Sequence, residues 1–134
     1  MTYHFSATVR LPFEKAVETT KAALKQHGFG VLSEIDVQAT MKEKLGADFR
    51  PYRILGACNP QMAYQALQAE DKIGTMLPCN VIVQEQAGGM IEISAVDPVA
   101  SMQAIDNPAL AGIAQTVGEK LRAVIGTIDA MARH

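Results

Sequence analysis

From Tyr3 onward apolar and polar side chains alternate, with Tyr3, Phe5, Ala7 and Val9 on one face and His4, Ser6, Thr8 and Arg10 on the other. A period of two over residues 3–9 predicts a half-buried strand. It leaves His4 on the polar, solvated side. The period then changes. Pro12 suits the first turn of a helix, where a missing N–H costs nothing. Phe13, Val17, Thr20 and Leu24 follow at helical spacing, and Gly28 supplies the stop. His27 falls in the last turn, near the helix carbonyl ends. A second strand is predicted over 29–35, with Phe29, Val31 and Ile35 on one side. Asp36 caps a helix in which Val37, Met41 and Leu45 lie one turn apart, Lys42, Glu43 and Lys44 face solvent, and Gly46 ends the run.

The central stretch, 52–83, holds both cysteines and a strand–helix–strand pattern. Ile54 and Leu55 point to opposite faces, so the strand 52–57 is expected inside the sheet and covered on both sides. Gly56 within it permits close approach of another group. Asn59-Pro60 is a cap followed by a first-turn proline, with Met62, Ala63, Ala66 and Leu67 expected to face inward. Residues 71–78 read as a loop, and a strand resumes at Cys79 and runs to Gln86. Ala87-Gly88-Gly89 connects it as a hairpin to a strand over 90–96. Asp97-Pro98 breaks that strand, a short helical turn is expected around 99–105, and Asn107-Pro108 repeats the cap-and-proline device. The last helix carries the longest seam: Leu110, Ala114, Val117, Leu121, Val124, Ile128 and Met131.

These elements predict one domain over residues 1–134, of the α+β class. We expect a two-layer α/β sandwich: a sheet of about five strands, helices mainly on one face, and a long C-terminal helix. The pattern does not set the strand order.

Composition narrows the partners. With 49% hydrophobic and 19% charged residues among 134, the chain is typical of a folded globular protein. The net charge is −2 and Lys and Arg are dispersed, so neither nucleic acid nor a membrane is an expected partner. The first ten residues alternate and do not form an apolar run, so no export signal is expected. Two cysteines in such a chain point to reduced thiols and a cytoplasmic protein.

Chemistry-bearing candidates cluster in the central stretch. Cys58 precedes a helix start, where free N–H groups and the helix dipole favour a thiolate. Cys79 opens the next strand. Parallel strands would set the two sulfurs at opposite ends of the sheet; antiparallel strands would make them neighbours. The plainer reading is that both are small apolar residues packed beside prolines. Tyr64 could aim its hydroxyl into a pocket or lie on the helix surface. Arg50 and Arg53 could bind an anion or pair with Asp48, and Glu85 with Glu92 could be exposed cross-strand neighbours. Gly28-Phe29-Gly30 precedes a strand, the wrong order for a phosphate loop. The cysteines and three histidines have no metal-ligand spacing, so no metal is expected. The residues name no cofactor.

YRILGACNP (52–60), IGTMLPCNVIV (73–83) and SEIDVQATMKEKLG (33–46) resemble the DUF302 family, small bacterial and archaeal proteins of unassigned activity. The resemblance covers nearly the whole chain and implies a compact domain with helices on a sheet, found as a homodimer. It implies no reaction. The reading that follows is a small ligand-binding or regulatory domain. Its pocket would be formed at Cys58-Asn59-Pro60 and Pro78-Cys79-Asn80, with Tyr64 nearby, for a small-molecule ligand that is anionic or thiol-reactive. The alternative is a thiol redox protein or enzyme using Cys58, with Cys79 as its partner.

Overall fold

The computed structural model describes residues 2–132. Five strands form one antiparallel sheet: β1 (His4–Val9), β2 (Gly30–Asp36), β3 (Tyr52–Cys58), β4 (Cys79–Glu85) and β5 (Ile91–Val96). Their order across the sheet is β1-β5-β4-β3-β2. The helices are α1 (Phe13–Gln26), α2 (Val37–Leu45), α3 (Pro60–Ala69), α4 (Pro98–Ser101) and α5 (Pro108–Ala132). Helices α1 and α5 lie on one face of the sheet, and α3 and α4 pack against α5. The α+β class and the two-layer arrangement are those expected from the pattern.

The strand alternation explains the core. Leu55, Val81, Val83, Ile91, Ile93 and Ala95 project from one face and are fully buried. Register sets them side by side, with Leu55 opposite Val81 and Val83 opposite Ile93. The seam of α5 covers them: Leu121, Val124 and Ile128 are inaccessible, and Leu24 and Val17 of α1 complete the layer. Burying each such side chain contributes roughly 1.5–3 kcal/mol before entropy is counted. Met131, the last member of the expected seam, is exposed.

Several boundaries and faces differ from expectation. Helix α1 begins at Phe13 with Pro12 as its extended cap residue, and Thr20 inside it is buried because its Oγ1 donates to the Ala16 carbonyl. The segment expected as loop contains a 3₁₀ turn, Ile73–Met76, whose Ile73 is fully buried with Ala66 and Leu110. Leu67 is exposed, not inward. Ile54 is half-buried: no helix layer matching α1 and α5 covers its face, and α2 touches β3 without burying any of its own residues.

The largest change comes from β2. Val31 pairs with Ala57 but Ser33 pairs with Gly56, so Leu32 is an extra, bulged residue. A bulge reverses which side chains face the core beyond it. Ile35 is therefore turned to the open face beside Ile54, and Glu34 comes to the helix side opposite Leu55. There Glu34 meets Lys21 at 2.7 Å and Arg53 at 2.6 Å, while Arg53 also pairs with Glu14 at 2.7 Å. The hydrogen bond from Lys21, then that from Arg53, holds the Glu34 carboxyl below its ordinary range.

Gly56 sits where β2, β3 and the entry to β4 converge. A Cβ there would lie 2.3 Å from Ser33 Oγ and 2.6 Å from Pro78 Cγ. The serine hydroxyl can rotate away; the proline ring cannot. Gly56→Ala is expected to lower stability by about 1–3 kcal/mol through overpacking. A urea melt with an unchanged midpoint would refute this close packing.

Candidate functional site

The antiparallel pairing of β3 with β4 sets Ala57 opposite Cys79, so the end of β3 and the start of β4 are neighbours. Of the two arrangements left open by the sequence, this is the one that brings the cysteines close. Beyond Cys58 the chain turns into α3. Asn59 is its cap, accepting a hydrogen bond from the Met62 amide at 3.1 Å, and Pro60 occupies the first turn. Opposite, the Leu77–Pro78 peptide is cis. Between these segments and α4 and α5 lies a pocket of about 30 Å³, lined by Cys58, Asn59, Pro78 and Cys79 together with side chains of α3, α4 and α5. That volume holds one or two atoms the size of water.

The other three candidates lie elsewhere. Pro60 is exposed, and Tyr64, 65% exposed, lies on the outer surface of α3. Asn80 points to the open face of the sheet, where it lines a separate groove with Tyr52, Ile82 and Gln84. One step along a strand reverses the side chain's face, so Asn80 turns away from the face on which Cys79 is buried. Sequence reading missed Phe29, Met102, Pro98 and Ile113, which line the small pocket from distant parts of the chain.

Both cysteines are free, Cys58 half-buried and Cys79 buried. Burial, and secondarily the proximity of Cys58, push the Cys79 thiol up to about 11. It is protonated at neutral pH, which removes the attacking thiolate that a Cys79-assisted redox cycle needs. The arginines are also committed. Arg53 is held by Glu34 and Glu14 over the Phe13 ring, and Arg50 donates to Gln84 over Phe49. Asp48 pairs with Lys42, not with either arginine. Glu92 stands opposite Gln84 and Glu85 opposite Ile91, so the two glutamates project from opposite faces. His27 bonds Thr127 at 2.8 Å and ties the end of α1 to α5. Among the described residues, no group of three or more His, Cys, Asp or Glu could hold a metal ion.

The family pattern of the domain of unknown function DUF302 matches residues 5–128. The chain belongs to the DUF302 family. A crystal structure of an uncharacterized conserved DUF302 protein from Bacillus stearothermophilus is similar throughout. It shares 32% identity, with 96% of this chain and 99% of that chain covered and a TM-score of 0.88. No curated protein matches the chain. DUF302 membership fixes the fold and brings no reaction with it. Among the described residues, no helix is long and apolar enough to cross a membrane.

The contrast between the two thiols gives a direct test. At pH 8 a thiol reagent should label Cys58 and spare Cys79 in the folded protein, and label both in urea. Cys79 ionises at 9.0 when unperturbed and at about 11 here. Burial of its neutral form therefore contributes stability that is fully present below pH 9.0 and is lost as pH rises towards about 11. Equal labelling of the two cysteines in the folded protein at pH 8 would contradict this burial.

Proposed function

We propose that this DUF302 chain is a small cytoplasmic ligand-binding or regulatory domain, working as a homodimer, with its site at the pocket beside Cys58. The supporting observation is the pocket itself: distant segments of the chain converge on a small apolar hollow with a half-buried thiol on its wall. An apolar hollow holds water poorly. The ligand is therefore compact and apolar or sulfur-seeking, in place of the anion that a bare helix start would attract. Asn59 already caps α3, and the lining adds no cation.

Thermal shift tests this reading with neutral compounds of a few heavy atoms, apolar or thiol-directed. Wild type should respond to some of them, and Cys58→Ser should lose the response. Ala114→Val, which adds two methyl groups to a pocket wall, should lose it as well. At a hundredfold excess over Kd the gain is about 2.7 kcal/mol, read as a rise of several degrees in Tm. If all three proteins respond alike, the pocket is not the site.

The homodimer is supported by exposed apolar surface near the β2 edge. Leu32, Ile35, Leu45 and Phe49 are between 38% and 73% exposed, on β2, on α2 and in the segment after it. A second copy covering them would bury what the monomer leaves wet. Leu32→Glu combined with Leu45→Glu is expected to convert a dimer to a monomer in sedimentation, with an unchanged circular dichroism spectrum. A dimer that survives both substitutions would place the interface elsewhere.

A further inference from the structure

The pocket beside Cys58 has an unusual elemental makeup. Four of its lining residues carry sulfur: Cys58 at the end of β3, Cys79 at the start of β4, Met62 in the first turn of α3 and Met102 just after α4. The one amide on its wall, that of Asn59, has its oxygen engaged by the Met62 N–H. No histidine, aspartate or glutamate lines the pocket.

Three magnitudes select a ligand for that set. The first is size. About 30 Å³ admits an ion but not an ordinary organic ligand, whose sites run from roughly 300 Å³ upward. The second is donor softness. Thiolate and thioether sulfur prefer Cu(I), whereas magnesium, calcium and manganese need oxygen ligands that the pocket lacks. The third is charge. A monovalent ion held by one thiolate and neutral thioethers has no net charge, which an apolar wall tolerates; a divalent ion would leave one uncompensated positive charge. Zinc is further disfavoured because it usually takes a tetrahedral set of thiolate, imidazole or carboxylate ligands.

We propose that this pocket is a Cu(I) site, with the Cys58 thiolate and the Met62 and Met102 thioethers as ligands and Cys79 as the fourth sulfur of its wall. Binding exchanges the Cys58 proton for the ion, the proton leaves to solvent, and no electron is transferred. The inference rests on the pocket being a ligand site and names the occupant.

Competition against the chromophoric Cu(I) complex of bicinchoninate, under anaerobic and reducing conditions, tests it. Wild type should withdraw one equivalent of Cu(I). Cys58→Ser should weaken binding at least 100-fold, and Met62→Leu and Met102→Leu at least 10-fold each. The leucine variants nearly conserve volume, so their Tm without copper should stay close to wild type. Zn(II) should not compete at equal concentration. A wild-type protein that leaves the bicinchoninate complex intact overturns the proposal. So do methionine variants that bind as tightly as wild type, since thiol affinity alone would then explain uptake. If copper is not bound while the neutral compounds still shift wild type and spare Cys58→Ser, the copper assignment falls and the pocket stands. If neither binds, both fall.

Discussion

The apolar seam of α5 is the constraint on which the rest of the molecule depends. This helix touches β1, β5, α1, α3 and α4, so all of them take their position from one surface. Three glycines and many small residues give it little helical preference of its own, and an isolated helix of that composition would be marginal. Its order is supplied by burial. Leu121, Val124 and Ile128 close the main core against the sheet, while Leu110 belongs to a second cluster with Ala66 and Ile73. Ile113 packs against both. Gly118 packs beside Pro98, whose Cδ lies 3.6 Å from where a Cβ would stand, an ordinary van der Waals distance.

That division of labour locates the pocket. It opens where the seam passes from one cluster to the other, at Ile113, Ala114 and Val117, and the facing residues of α3 include Ala63 and Ala66. Small side chains on two crossing helices leave a gap that neither core fills. At about 24 cal/mol per Å³, an empty hollow of about 30 Å³ costs roughly 0.7 kcal/mol. The fold tolerates such a void easily, and an occupant that makes favourable contacts would recover more than that.

Much of this was legible in the sequence wherever one local rule acts alone. Asn59-Pro60 and Asn107-Pro108 start α3 and α5 because cap and proline chemistry is decided within four residues. The α5 seam was legible because its period is long and unbroken. What failed was decided across strands. Nothing around Leu32 announces a bulge, yet that one inserted residue moves Ile35 away from the core and brings Glu34 to Arg53. Ile73 reads as loop because its burial depends on Leu110, far along the chain. Asn80 was grouped with Cys79 by adjacency, although strand alternation sends them to opposite faces. The spacing of α3 predicts Met62 inward, but that it lines one pocket with Met102 depends on how α3 and α4 both lean on α5. No spacing rule contains that.

The same geometry separates the two roles a cysteine can play here. Cys79 is enclosed by the core and its thiol is held neutral by burial, so its contribution is to packing. Cys58 is the last residue of its strand, half-buried, at the point where the backbone leaves the sheet for α3. A side chain in that position can change its neighbours without disturbing the ladder, because α3 is anchored independently through the Asn59 cap and Ala66. Strand ends that turn into capped helices thus supply what the core interior cannot: a side chain fixed in place and still open on one side.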